Sequence, residues 1–164
     1  MRNGFFSCRV LTRGDLGLLP AMERIEARAH RHPWSEGDLR ECFGDLYRII
    51  GLFAGGTLTG FAVIYATRVT TDLLTIGVDP DSQGRGLGTL LLRAALREAV
   101  RAGADECFLE VRAGNTAAQG LYRKFGFKVT GVRRGYYAPL RAGGSAEDAL
   151  TMRLDALAAA GFGG

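Results

Sequence analysis

Apolar residues recur along this chain at two different periods, and the change from one to the other marks out the elements. Arg9-Val10-Leu11 reads as a first strand. Thr12 and Asp15 have the spacing of a helix-opening cap, and the helix they open runs to about Ala29. Pro33-Trp34-Ser35-Glu36-Gly37-Asp38 breaks the chain and caps a short helix ending near Phe43. Arg48 to Ala54 and Leu58 to Ala66 are apolar and β-rich, and Gly55-Gly56-Thr57 between them signals a hairpin. Leu73-Leu74-Thr75-Ile76-Gly77-Val78 reads as a buried strand that Asp79-Pro80-Asp81 ends. From Leu87 to Ala102 the period is helical: Leu87, Leu91, Ala94 and Ala95 share one face, and Arg93, Arg97 and Arg101 repeat on another as a solvated stripe. Gly103 stands just past that helix, as a C-terminal glycine should. Cys107 to Val111 gives a further strand, and Asn115 caps a helix from Thr116 to Phe125 that Gly126 closes. Two more strands follow, so the order is β-α-α-β-β-β-α-β-α-β-β, an α/β fold around one mixed sheet.

The junction between the Val78 strand and the Leu87 helix carries the first chemistry. Gln83-Gly84-Arg85-Gly86-Leu87-Gly88 holds three glycines, which let the backbone approach a ligand with no Cβ in the way. The helix then starts, so its first N–H groups lack partners and its dipole adds about half a positive elementary charge at that end. Such a mouth suits a phosphate or pyrophosphate. It is not a dinucleotide fingerprint, because Thr89 stands where the third glycine is needed, and it is no Walker loop, because no Gly-Lys-Ser/Thr follows. What remains is Gln-x-x-Gly-x-Gly. Read alone, it serves equally as a turn that lets a helix pack on a sheet.

Composition narrows the setting. The chain has 164 residues, enough for one core and too few for two ordinary domains. Residues 1–154 read as that single domain, and residues 155–164, rich in alanine and glycine, as a loosely ordered tail. With 47% apolar and 23% charged residues the profile is globular, and no apolar run reaches membrane-spanning length. The apolar stretch within Met1 to Cys8 is too short for a secretory signal. Cys8, Cys42 and Cys107 are odd in number and widely spaced, which argues against a disulfide framework or metal set and for a reducing cytoplasm. His30 and His32 offer a weak metal hint that a solvated loop explains better. The net charge of +4 is mild, and no dense Lys/Arg run with interleaved aromatics points to nucleic acid.

Two side chains offer catalysis. Glu110 lies within Phe108-Leu109-Glu110-Val111, and a strand buried on both faces would raise its carboxyl toward neutrality, as a general base requires. The other reading is a structural glutamate at a sheet margin, paired with Arg112. Tyr122 lies on the same helix side as Asn115, roughly 10 Å along it, and could donate a proton to a departing thiolate. A serine or cysteine nucleophile is disfavoured by the absence of Gly-x-Ser-x-Gly and the presence of only two histidines.

Leu109-Glu110-Val111-Arg112-x-x-Asn115 followed by Leu121-Tyr122-x-x-x-Gly126-Phe127, together with the glycine loop, resembles the GNAT N-acetyltransferase superfamily. Arg28-Ala29-His30-x-x-Pro33-Trp34-Ser35-Glu36, Arg133-Arg134-x-Tyr136-Tyr137 and Glu147-Asp148-Ala149-Leu150-x-Met152 are similar to its ribosomal-protein-alanine branch, in register from about Val10 to Leu154. The resemblance implies a mostly antiparallel mixed sheet of about seven strands flanked by about four helices. It implies acetyl-CoA as cosubstrate without a metal, and acetyl transfer to the N-terminal alanine of a ribosomal protein. By the same resemblance Glu110 is the general base and Tyr122 the general acid. Ile76, Gly77 and Val78 hold the acetyl and pantetheine part, and Gln83, Gly84, Arg85, Gly86, Leu87, Gly88 and Thr89 take the pyrophosphate. Asn115 contacts the pantetheine, and Trp34, Tyr136, Tyr137 and Glu147 build the peptide groove. Ala138 to Gly144 departs from the family pattern, and its glycines make the groove's border soft. Lysine or small-molecule acceptors, and a non-catalytic acetyl-CoA-binding module, stay open.

Overall fold

A computed structural model describes residues 5–163, so the reading of the first four residues as part of no secretory signal lies outside them. Seven strands form one sheet in the order β1-β2-β3-β4-β5-β7-β6. They are β1 (Phe6–Val10), β2 (Tyr47–Ala54), β3 (Thr57–Ala66), β4 (Thr70–Val78), β5 (Glu106–Arg112), β6 (Lys128–Tyr137) and β7 (Glu147–Leu154). Every neighbouring pair is antiparallel except β4 with β5. Among the described residues four α-helices cover the sheet: α1 (Leu19–Ala29), α2 (Glu36–Glu41), α3 (Leu87–Arg101) and α4 (Thr116–Lys124). The mixed, mostly antiparallel fold and its element order follow the expectation.

The two faces of the sheet have separate cores. Met22 and Ile25 of α1 and Leu39 of α2 pack with Ile49, Phe61 and Val63 on one side. Leu91, Leu92, Leu96 and Ala99 of α3 and Tyr122 of α4 pack with Ile50, Ala62 and Ile64 on the other. Alternation along β2 and β3 sends consecutive side chains to opposite cores, so the runs Ile49 to Ala54 and Gly60 to Ile64 carry no polar side chain.

Three local readings need correction. The helix expected from Thr12 splits in two. Thr12 and Asp15 do form a reciprocal cap, but on a 3-10 turn over Arg13–Leu18, and α1 starts only at Leu19. Pro20 sets that start, since a proline without N–H is tolerated in a helix's first turn and not within it. The first strand begins at Phe6, pairing Phe6 with Ala54 through Val10 with Ile50. The stretch after Leu154, expected to be loose, is anchored: Leu157 is 0% and Phe162 8% exposed, and the Phe162 ring stacks on Phe125 at 5.9 Å. Alanine and glycine dominate its composition, but two larger apolar residues decide its packing.

The parting of β4 from β5 positions the site. The two strands pair only from Thr70 with Glu106 to Leu73 with Leu109. Beyond that, the pairing of β4 with β3 slips by one residue between Leu73 and Thr75. Such a bulge bends a strand and increases its twist. After it the strands diverge and leave a cleft.

Candidate active site

One side of the cleft, where the coenzyme is expected, is made of backbone. Asp79 N–H donates to Thr59 of β3 at 2.7 Å. Strand N–H groups alternate in direction, so Gly77 also faces β3, while Ile76 and Val78 face the gap that β5 has left. Gly77 is a glycine for a structural reason: a Cβ there would lie 3.1 Å from both Ala29 Cβ and His30 Nε2 at the end of α1. Beyond β4 the loop turns into α3. Gly84 and Gly86 have φ of +82° and +72°, a left-handed conformation that favours glycine, and Gly86 is the residue before the first helical turn. Nothing lies within 4 Å of a Cβ built on either, so the space before the helix is open. Gln83 has a different part: its side-chain amide donates to Val78 C=O at 3.1 Å and ties the loop to the end of β4. Leu87 is buried in the core, and Gly88 passes under Leu121 of α4. Open backbone amides at the mouth of a fifteen-residue helix fit a diphosphate.

The other side is a cavity of about 480 Å³. It brings together Trp34, Ile76, Glu110, Asn115, Tyr122, Tyr137 and Glu147 from the expected set. Gly77, Val78 and the glycine loop lie outside its lining, as does Tyr136. Tyr136 stays near Glu110 through Arg133, which pairs with that carboxylate and lies 5.2 Å over the Tyr136 ring, and the nearby carboxylate pushes the Tyr136 hydroxyl up. The Tyr136 and Tyr137 rings meet edge to face at 5.1 Å.

Glu110 differs from the expectation. Its strand alternates, with Cys107, Leu109 and Val111 buried and Glu106, Phe108, Glu110 and Arg112 on the partly open face. The two-sided burial that the sequence reading called on is therefore absent. Its ion pair is with Arg133 of β6 at 3.1 Å, not with Arg112. Arg112 instead holds Glu147 at 3.1 Å and lies 4.0 Å over the Tyr137 ring. The Glu147 carboxylate also accepts from Gly114 N–H at 3.0 Å, and these bonds hold it below the usual carboxylate range. Tyr122 is 7% exposed and packs edge to face on Phe127. Burial pushes its hydroxyl up, so it stays protonated, the form a general acid needs. Asn115 caps α4 by accepting from Ala118 N–H at 3.1 Å.

Three participants, Gln119, Glu26 and Thr75, went without a role in the sequence, and a fourth, His30, was expected in a solvated loop. Gln119 is buried and donates to the Arg112 and Ala113 carbonyls at 3.1 and 2.9 Å, fixing the turn from β5 into α4. Glu26, His30 and Thr75 form a second cluster in the cavity wall. Glu26 is 1% exposed, and burial pushes its carboxyl up. Thr75 Oγ1 donates to Glu26 at 3.3 Å and lies 3.2 Å from His30 Nε2. A hydroxyl has one proton, so with Thr75 donating to Glu26 it is His30 that donates to Thr75. His30 is thus not a solvated-loop residue. The signal for Glu26 was its place on the apolar face of α1, four residues after Met22 and one after Ile25. Among the described residues no group of three His, Cys, Asp or Glu could hold a metal ion. A second cavity, about 360 Å³, lies between β1 and α3 and is lined by Arg9, Arg93, Arg97 and Arg101, so the helix stripe borders a groove and is not open surface alone.

A sheet parted at a bulged strand, with a glycine-capped helix at its end and a tyrosine and a carboxylate across the gap, defines an acetyl-CoA-dependent N-acetyltransferase. The comparisons bear this out. The pattern of the acetyltransferase (GNAT) family matches residues 19–127, and the chain belongs to that family. The [ribosomal protein bS18]-alanine N-acetyltransferase of Escherichia coli K12 is 40% identical over 136 residues, 83% of this chain and 90% of that protein. The N-alpha-acetyltransferase RimI of Mycobacterium tuberculosis is 43% identical over 128 residues, 75% of this chain and 76% of that one. The crystal structure of the ribosomal-protein-S18-alanine N-acetyltransferase from Escherichia coli superposes with a TM-score of 0.82 at 38% identity, covering 92% of this chain and 94% of that one. Among the described residues no helix is long and apolar enough to cross a membrane.

Proposed function

We propose that this enzyme acetylates the α-amine at the N-terminus of a protein, and that its acceptor is the N-terminal alanine of a ribosomal protein. The observation that carries the reading is the convergence of Glu110 and Tyr122 on one cavity. The name of the Escherichia coli relative supports the choice of acceptor.

Glu110 takes a proton from the incoming ammonium, directly or through water. At pH 7 freeing an α-amine of pKa about 7.8 takes roughly 1 kcal/mol, against roughly 4.6 kcal/mol for a lysine. One partly open carboxylate suffices for the first and is strained for the second. The amine then attacks the thioester carbonyl carbon and forms the C–N bond, the nitrogen of the tetrahedral adduct gives up its second proton to solvent, and the C–S bond breaks. Val78 N–H, turned into the cleft, stabilises the oxyanion between those events. Tyr122 gives its proton to the leaving sulfur and recovers one from solvent. Ile76, Gly77 and Val78 hold the pantetheine arm as a peptide adds to a strand edge, and Asn115 meets it from α4. Gly84, Arg85, Gly86, Leu87, Gly88 and Thr89 cradle the diphosphate, with Gln83 fixing the loop beneath. Trp34, Tyr136, Tyr137 and Glu147 border the acceptor. We assign the reaction to the cytoplasm, a choice that three free thiols support.

The test is an acetyl transfer assay on short peptides that differ only at residue one, each with a free and a blocked N-terminus. Transfer is expected to the free forms, alanine foremost. Transfer confined to blocked peptides, through an internal lysine, overturns the reading.

A further inference from the structure

Three carboxylates line the cavity, and they differ in what balances their charge. Glu147 has Arg112 and Glu110 has Arg133, each at 3.1 Å. Glu26 has no arginine: among the described residues its cationic partner is His30, at 3.6 Å. Glu26 is also the buried one, where an unbalanced carboxylate is costly. It is nevertheless held in place. The Thr75 hydroxyl donates to it from β4, and Trp34 N–H points at it from 3.5 Å. The cavity therefore has a firmly positioned carboxyl in its wall whose ionised form is only conditionally balanced. When His30 is neutral, the Glu26–His30 pair carries one net negative charge, and a cation entering the cavity would complete it.

We propose that Glu26 is a specificity-determining residue that selects a positively charged amino terminus. It favours the unreacted α-ammonium over the N-acetylated product, and so draws in the acceptor and lets the product go. Acetylation removes the amine's positive charge, and with it the attraction to Glu26. This assignment rests on the N-terminal reading above. Arg31 borders the same cavity but acts on Glu147, and Arg112 is committed to that carboxylate as well. Neither substitutes for the cation that Glu26 lacks.

Calorimetry with CoA present, which permits binding without transfer, tests this. The probes are two short peptides of one sequence beginning with alanine, one free and one N-acetylated, titrated near pH 7, where a free α-amine of pKa about 7.8 keeps its charge. The wild-type enzyme is expected to prefer the free peptide by about tenfold, equal to about 1.4 kcal/mol. Glu26→Gln keeps the shape of the wall and loses the preference. His30→Lys sets a permanent cation beside Glu26 and loses it too, with Glu26 unaltered. Thr75→Val removes a hydrogen bond, retains the charge and keeps the preference. An undiminished preference in Glu26→Gln or His30→Lys overturns the proposal. So does an equal loss in Thr75→Val, since the wall's shape and not its charge would then decide. Acetyl transfer to free peptides is measured in parallel. No transfer by the wild type defeats the N-terminal reading itself, whereas transfer with unchanged selectivity in the variants defeats the role of Glu26 alone.

Discussion

Gly86→Ala separates the backbone's part in the coenzyme site from its part in the fold. The residue has φ of +72° and precedes α3, and a Cβ there would meet no atom within 4 Å. The added methyl thus strains no packing, and the loss of stability is the left-handed backbone term alone, about 1–2 kcal/mol. A domain of this size loses about 2–4 °C in Tm for each kcal/mol. The methyl does, however, occupy the open space in front of the helix's free amides. A diphosphate held there loses its close approach, and the Kd for acetyl-CoA should weaken by about tenfold or more, about 1.4 kcal/mol. Thermal melting with and without ligand reads both effects. At a ligand concentration 100 times the wild-type Kd, the wild type gains about 2.7 kcal/mol and a variant tenfold weaker about 1.4 kcal/mol. Gly17→Ala is the control, because Gly17 is not left-handed and also has open space around its Cβ. It should leave acetyl-CoA affinity unchanged. Wild-type affinity in Gly86→Ala would refute the reasoning, since the diphosphate would then be held elsewhere.

Glu110→Gln and Tyr122→Phe should each lower kcat by roughly 10²–10⁴-fold with acetyl-CoA affinity intact by calorimetry; normal turnover in either variant removes that residue's role. Glu26 gives a pH dependence. Its folded carboxyl is raised by burial, so the unfolded chain loses that proton first, and this group's contribution to stability falls as pH rises from about 4.3 toward the raised value. Glu26→Gln removes the fall, so urea unfolding should show its stability relative to wild type improving from acid to neutral pH; a constant difference would count against a raised Glu26. Leu157, 0% exposed, anchors the C-terminal stretch, and Leu157→Ala should cost about 2–5 kcal/mol by the same measurement, where no change would mean an unpacked tail.

The sequence made the elements legible where one cause dominated. α3 has an unbroken apolar face and a glycine beyond each end, and its observed span differs from the expected one only at the last residue. The turns at Gly55, Gly103 and Gly126 all have the positive φ that their glycines announced. Where two causes competed, the weaker signal was overridden. Thr12 and Asp15 do cap, but Pro20 five residues on sets the α-helix start, and the cap serves a 3-10 turn. After Leu154 composition argued for looseness, while Leu157 and Phe162 found a core that is built from residues far away in the chain.

The two halves of the cleft differ in legibility for the same reason. The half assigned to the coenzyme consists of main chain in conformations that only glycine adopts easily, so its requirement is local and leaves a local mark at Gly84 and Gly86. The half proposed for the acceptor is assembled from side chains of α1, β4, β5, β6 and β7, and no local pattern records who meets whom. Glu110 shows the consequence. Its identity was readable, but its partner depended on β6 returning to the sheet's edge beyond β7, which brings Arg133 to it and leaves Arg112 to Glu147. Glu26 is the extreme case, a carboxylate on an apolar helix face whose environment is made by Thr75, 49 residues onward. A charged residue on a stripe that otherwise faces the core is costly there, and that conflict between pattern and position is the one trace such a site leaves in a sequence.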